Sequence, residues 1–327
     1  MKAIVVTRPG GPEVLQVGEV SDPLFGPDDL LVRIRAAGLN RADVLQRMGN
    51  YPQPGQKPAF DIPGLEYAGE VVRVGERVQG FAAGDRVMGL VPGQGYAELV
   101  STPARLAMRV PPGLSWLEAG ATPEVYITAH DALLQCGLVA GEAVLVHAAG
   151  SGVGVAAVQI AKTFGATPVL GTAGSDEKLA RARELGLDVG INYRTQDFAT
   201  EALAATDGRG VDVILDVIGA DYWEKNMKAL APKGRMVIVG LMGGASTPAN
   251  LGMLVAKRLQ VRGTVLRARS LEEKALATRA FEKSVLPHIA NGRIKVVVDR
   301  VFPFAEAGAA QAYMETNANF GKIVLEM

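Results

Sequence analysis

The residues best placed to do chemistry lie in one run, Val144-Leu-Val-His-Ala-Ala-Gly-Ser-Gly-Val-Gly154. An apolar, strand-like stretch enters a turn of small residues. Gly154-Val-Ala-Ala-Val-Gln-Ile-Ala-Lys-Thr-Phe164 then reads as a helix. Backbone N–H groups at such a turn point outward, and the helix N-terminus carries partial positive charge. Together they can hold a pyrophosphate, which points to a dinucleotide. The glycine fingerprint is degenerate: Ala149, Ser151 and Gly154 take the three glycine places, with Gly150 and Gly152 between them. The pyrophosphate is expected against Ala149, Gly150, Ser151, Gly152 and Val153. An ordinary strand-to-helix turn uses the same small residues, so the turn alone does not decide between the two readings.

The second strand bears on which dinucleotide. An NAD-specific site places a carboxylate near the end of that strand, on the ribose 2′-hydroxyl. Here Val169-Leu-Gly-Thr172 is followed by Ala173-Gly-Ser-Asp-Glu-Lys178. The strand end carries no carboxylate. Gly174 admits close backbone approach, Ser175 can donate a hydrogen bond, and Lys178 supplies positive charge. That set suits a 2′-phosphate, so NADPH is expected rather than NADH. Asp176 and Glu177 read as first-turn residues that favour the helix dipole. The competing reading of Lys178 is a solvated helix lysine.

These residues need a scaffold, and composition bounds it. The chain has 327 residues, 48% of them hydrophobic, which is enough for two domains with sizeable cores. Basic and acidic side chains number 34 each, so the formal net charge is zero. No basic block stands out, which argues against nucleic acid or an anionic membrane as partner. One cysteine, Cys136, excludes an intramolecular disulfide framework. The opening Met1-Lys-Ala-Ile-Val-Val is too short for a signal-peptide core, and no long apolar run suggests a membrane span. A cytoplasmic protein is expected.

Up to about residue 110, short strand patterns alternate with turn signals such as Gly10-Gly11-Pro12, Pro92-Gly93 and Pro111-Pro112-Gly113. Leu30–Ala36, Tyr67–Val74, Asp85–Leu90 and Tyr96–Val100 read as strands of a mostly antiparallel β domain. Thr122-Pro123-Glu124 then resembles a helix start, with Thr122 at the cap, and that helix is expected to reach about Gly137. Beyond it, strands are expected at 144–147, 168–172, 189–192, 211–216, 235–239 and 261–266. Helices are expected at 154–164, 176–185, 197–205, 221–230, 250–257 and 271–290. This alternation predicts an α/β, doubly wound parallel sheet of the Rossmann kind as the coenzyme domain. The expected division is 1–122 with 290–327 for the β-rich catalytic domain, and 123–289 for the dinucleotide-binding domain.

The order of a β domain, then Ala148-Ala-Gly-Ser-Gly-Val-Gly154, then Gly171-Thr-Ala-Gly-Ser-Asp-Glu-Lys178, resembles the medium-chain dehydrogenase/reductase superfamily over essentially the whole chain. Within it the chain is similar to the zinc-independent NADPH:quinone oxidoreductases, in the branch that contains the human p53-inducible quinone oxidoreductase. Asn40-Arg-Ala-Asp43, Asp221-Tyr-Trp-Glu-Lys-Asn226, Gly240-Leu-Met-Gly-Gly244 and Gly321-Lys-Ile-Val-Leu-Glu326 carry the closer likeness. The resemblance implies a GroES-like catalytic domain. Zinc-dependent relatives place a cysteine where this chain has Asn40 and a histidine where it has Leu65. His130, His147 and His288 show no ligand spacing, so neither a catalytic nor a structural zinc is expected.

Without a metal, acceptors that need little activation fit best. The resemblance implies NADPH-dependent quinone reduction, with the nicotinamide between the domains and a homodimeric assembly. Asn40, Asp43 and Tyr51 are the expected catalytic residues. Asp43 has a competing reading as a helix cap, and Tyr51 one as a surface-loop aromatic. By the same resemblance Thr128 lies near the nicotinamide, Tyr193 near the 2′-phosphate, and Leu241, Met242, Leu266 and Arg267 near the carboxamide. Asn317 and Lys322 match a cofactor-contacting C-terminal segment. An enoyl or alkenal reductase using the same donor, and a non-catalytic NADPH-binding protein, are the alternatives.

Overall fold

A computed structural model describes residues 1–51 and 59–327. The chain divides into two compact units. The first comprises Met1–Ile127, Arg267–Ala290 and Val296–Met327; the second comprises Thr128–Leu266 and Asn291–Lys295.

The second unit holds a six-stranded sheet in the spatial order Val189–Asn192, Val169–Ala173, Val144–Val146, Val211–Asp216, Leu230–Ile238, Gln260–Gly263. All neighbours are parallel. Counted along the chain the order is 3-2-1-4-5-6, so the winding reverses beside Val144–Val146, where α/β sheets of this topology bind nucleotides. Val144, Leu145 and Val146 are wholly buried, as a central strand covered on both faces must be. The following helix, Gly152–Thr163, buries Val155, Ala156, Val158 and Ile160. Gln159 exchanges hydrogen bonds with the backbone of Lys295, at 2.9 and 2.8 Å, which ties the stretch 291–295 to this unit.

The first unit is built on a seven-stranded sheet. Along its main path run Val298–Pro303, Lys322–Glu326, Asp29–Gly38, Glu66–Val74, Arg86–Leu90 and Ala107–Arg109. Leu99–Pro103 also pairs with Asp29–Gly38. All pairings are antiparallel except that of Val298–Pro303 with Lys322–Glu326. The chain's final strand therefore lies beside Asp29–Gly38, which leads into the short helix Arg41–Arg47. Leu30, Val32, Ile34, Tyr67, Val87 and Ile323 are among the residues filling the core.

Three expectations are corrected. The stretch 271–290 is two helices, Leu271–Ser284 and Leu286–Ala290, because Pro287 has no N–H to continue the ladder. It also packs within the first unit, where Arg279 donates to the Ala107 carbonyl at 2.5 Å. The Thr122 hydroxyl donates back to the Glu118 carbonyl at 2.7 Å, and the helix it precedes, Pro123–Gln135, ends two residues before Gly137. Among the described residues no helix is long and apolar enough to cross a membrane.

Candidate functional site

In the second unit the small-residue turn is set by backbone geometry. Ala148 takes a left-handed conformation, φ 53°. Ser151 N donates to the Ala148 carbonyl at 2.8 Å, and Ser151 Oγ caps the helix by accepting from Gly154 N at 3.0 Å. A Cβ on Gly154 would lie 2.1 Å from the Ala148 oxygen and 2.7 Å from Ala149 Cα. Only glycine fits this third fingerprint place, whereas alanine and serine fit the first two. Gly150, Gly152 and Val153 complete the turn and the first helical residues.

Beneath the turn lies a buried polar chain. His147 Nε2 is 2.7 Å from Asn226 Oδ1, and Asn226 Nδ2 donates to Asp216 Oδ2 at 3.1 Å. With the amide oriented by Asp216, Nε2 must carry the His147 proton. Nδ1 then accepts from the Thr172 hydroxyl at 3.1 Å. Burial holds the imidazole down to about 4, so it is neutral at pH 7. Asp216 also accepts from the backbone N–H groups of Ile218 and Gly219, and burial raises it to about 6 against those bonds.

At the end of the second parallel strand, a Cβ on Gly174 would meet the Tyr193 hydroxyl at 2.6 Å and Arg194 Nε at 3.3 Å. The missing side chain therefore leaves a cradle lined by a phenol and a guanidinium. Ser175 Oγ accepts from Lys178 N at 3.3 Å and caps the helix Asp176–Arg183. Asp176 accepts from Asn192 Nδ2 at 2.9 Å, and so is tied to the neighbouring strand. Gly174, Ser175, Lys178 and Tyr193 thus share one corner. Arg194 joins them and was missed in the sequence reading; its adjacency to Tyr193 was the available signal. Thr128 is buried in the helix Pro123–Gln135, and Leu266 is buried after the sixth strand. Leu241 and Met242 are exposed, after the fifth.

The first unit contains a dense cluster of charge. Asn40 caps the helix Arg41–Arg47 from an extended conformation. Its Nδ2 donates to Glu66 Oε1 at 2.9 Å and to the Gly38 carbonyl at 3.4 Å, and its Oδ1 accepts from Lys322 Nζ at 2.8 Å. Lys322 also pairs with Glu66 Oε1 at 2.7 Å and donates to the Leu39 carbonyl. All three ammonium protons therefore have protein acceptors. Glu66 Oε2 accepts from Glu124 N at 2.8 Å.

Asp43 is wholly buried. It accepts from Asn40 N at 2.8 Å, Gly64 N at 3.1 Å and the Tyr96 hydroxyl at 3.0 Å. The helix-cap geometry is thus present. Burial raises the carboxyl to about 6, against the pull of those hydrogen bonds. Arg267 donates to Gln46 Oε1 at 2.8 Å, the Pro92 carbonyl at 2.9 Å and the Tyr51 carbonyl at 3.4 Å, and its guanidinium lies 4.7 Å over the Tyr51 ring. Burial, then the charge of Glu124, raises the Tyr51 phenol. Asn317 accepts from Arg41 Nη2 at 2.6 Å.

The structure therefore joins Asn40, Asp43 and Lys322 in one network and Tyr51 with Arg267 beside it. Glu66, Tyr96, Gln46 and Glu124 belong to the cluster and were missed. Glu66 and Glu124 stood within segments read for a zinc position and a helix start. Tyr96 and Gln46 carried no local signal. Among the described residues, no group of three or more His, Cys, Asp or Glu is placed to hold a metal ion.

Comparison with known proteins shows the family of this fold. Residues 26–112 match the alcohol dehydrogenase GroES-like domain, and residues 152–282 match the zinc-binding dehydrogenase family. A quinone oxidoreductase of Pseudomonas aeruginosa is 35% identical, over 99% of both chains. A phenolphthiocerol/phthiocerol polyketide synthase polypeptide of Mycobacterium tuberculosis is also 35% identical over 98% of this chain. This chain spans only 14% of that protein. Escherichia coli quinone oxidoreductase complexed with NADPH superposes with a TM-score of 0.91, at 32% identity over all of both chains. The CurK enoyl reductase superposes at 0.89, with 29% identity over 100% of this chain and 99% of that one.

Proposed function

From the premise that this chain belongs to the medium-chain dehydrogenase/reductase superfamily, among its quinone oxidoreductase-like members, we propose that it reduces quinones with NADPH. The chain is an oxidoreductase of that superfamily, and its cofactor is NADPH. The cradle at Gly174, with Tyr193, Arg194 and Lys178, fits a 2′-phosphate by charge and by space. The turn at Ala149–Val153 fits a pyrophosphate. When bound, NADPH supplies the hydride.

The observation that carries the substrate reading is the Asn40–Lys322–Glu66 network. Zinc-dependent relatives use the place of Asn40 for a metal ligand. Here that place faces an ammonium, which already neutralises Glu66 at 2.7 Å. The residues supply fixed hydrogen bonds and charge, not a ligand set. A quinone, which accepts hydride without Lewis-acid activation, suits such a site. Tyr51, held by Arg267, is the group with a phenol available to a substrate oxygen. Asn40, Asp43 and Lys322 act as the frame that fixes the neighbouring backbone.

A second reading has specific support: the likeness to CurK enoyl reductase makes a conjugated C=C bond an alternative acceptor. The test is NADPH oxidation with one ortho-quinone, one para-quinone and one 2-enal, with NADH beside it. Turnover with quinones and NADPH is expected. Turnover with the enal alone would move the protein to the second reading, and tight NADPH binding without turnover would leave a binding role.

A further inference from the structure

Reduction of a quinone needs a proton as well as a hydride, and the cluster in the first unit holds several acidic groups. Most of them have commitments that keep their protons at home. Asp43 is wholly buried, with both oxygens engaged by Asn40, Gly64 and Tyr96. The Tyr96 hydroxyl donates to Asp43. Glu66 receives Asn40, Lys322 and the backbone of Glu124, so both of its oxygens are engaged as acceptors. Lys322 has an acceptor for each of its three protons.

Glu124 differs. Its backbone N–H is pinned to Glu66 at 2.8 Å, which fixes the residue on the first turn of the helix Pro123–Gln135. Its carboxyl makes no hydrogen bond to the described residues, and the residue is partly accessible to water. Charged groups on several elements act on it. Glu66 stands on the strand Glu66–Val74, Asp43 on the helix Arg41–Arg47, and Lys322 on the final strand. Arg267 acts on it from the segment 267–284, and the charge of Glu124 itself acts on Lys274 of that segment and raises the Tyr51 phenol.

We propose that Glu124 is the proton donor of the reaction, handing its carboxyl proton to the oxygen of the reduced acceptor. The inference rests on the quinone-reductase reading above. NADPH provides two electrons and one proton as hydride. The Glu124 O–H bond then breaks as a new O–H bond forms on the substrate, and the carboxylate recovers a proton from water. The sum is NADPH, a proton and quinone going to NADP⁺ and hydroquinone.

The charge balance supports the role. Burial, followed by the nearby Glu66 anion, raises the carboxyl to about 8, and Lys322 and Arg267 only partly oppose this. It is therefore protonated at neutral pH. An acid must hold its proton to work, so turnover is full below about pH 8 and falls above it.

The test compares the full-length wild type with Glu124→Gln and Glu124→Asp, using the best quinone from neutral to alkaline pH. Glu124→Gln should bind NADPH as the wild type does and lose roughly a hundred-fold or more in kcat. It should also lose the alkaline limb, and Glu124→Asp should restore part of the rate together with that limb. Infrared difference spectra without cofactor should show a protonated carboxyl band in the wild type that Glu124→Gln lacks. A wild type active with quinones but matched by Glu124→Gln in rate and pH profile overturns this inference alone. So does the absence of that carboxyl band at neutral pH. A wild type inert to every quinone and enal overturns the functional reading, and this inference falls with it.

Discussion

Lys322 donates to Asn40 Oδ1 at 2.8 Å across 282 positions of sequence, joining the last strand of the chain to the cap of the helix Arg41–Arg47. The same ammonium neutralises Glu66, and Glu66 holds the backbone of Glu124. Asn40, Glu66, Glu124 and Lys322 of the first unit are thereby linked around one cation. Closing the chain back on itself is what sets the candidate site.

Removing that cation should be severe. In Lys322→Met the buried Glu66 loses its counterion, and breaking a buried pair in this way costs about 3–5 kcal/mol. Urea unfolding should show a lowered midpoint at pH 7. The double variant Lys322→Met/Glu66→Gln should recover much of the deficit, because it removes the stranded carboxyl. If the double variant is no more stable than the single one, the ion pair is not the cause.

Two glycines of the second unit should respond differently to alanine. At Gly154 the new Cβ meets backbone, 2.1 Å from the Ala148 oxygen, so the turn itself must shift. Gly154→Ala should lose about 1–3 kcal/mol of stability together with NADPH binding. At Gly174 the new Cβ meets the ends of the Tyr193 and Arg194 side chains, which can swing away. Gly174→Ala should keep its thermal midpoint and lose NADPH affinity. Calorimetric scans beside fluorescence titrations separate the two effects.

The contrast also shows what was legible in the sequence. Parallel-strand periodicity and turn composition are local signals, and the six strands of the second unit were found within a few residues. The turn at Ala149–Val153 and the corner at Gly174–Lys178 were legible because consecutive residues build them. The first-unit cluster was legible only in part. Asn40 and Lys322 came from resemblance to relatives. Glu66, Tyr96 and Glu124 reach the cluster from separate elements, through pairings that no local pattern encodes. The placing of 267–289 with the dinucleotide-binding domain differs from the structure for the same reason. The segment's helical character was legible, though not its break at Val285, but its partners are Gln46, Pro92 and Ala107, far away in sequence.

The corner at Gly174 predicts how the two cofactors separate. Lys178→Ala and Arg194→Ala each remove a cation from the proposed 2′-phosphate place. Hydrogen bonds to charged groups contribute about 1.5–3 kcal/mol, so NADPH affinity should fall roughly ten-fold or more in each variant. NADH, which lacks the phosphate, should bind as weakly as it does to the wild type. Equal losses for both cofactors would place these side chains elsewhere on the dinucleotide.

The buried chain under the turn predicts an acid dependence. His147 is neutral in the fold, its pKa held near 4 by burial, against an ordinary value of 6.5. Between those values the unfolded chain binds the proton and the folded one does not. The contribution of His147 to stability is therefore full above about pH 6.5 and declines as pH falls toward 4. A shift of this size corresponds to about 3 kcal/mol at most. His147→Gln should start lower at pH 7, since it loses the ring contacts with Phe198 and Tyr222. It should then lose less on acidification, because no imidazole remains to charge. Urea midpoints at neutral and mildly acidic pH give the comparison. Parallel curves for the two proteins would mean that His147 takes no part in the acid response, and the neutral ring assigned from its bond to Asn226 would have to be abandoned.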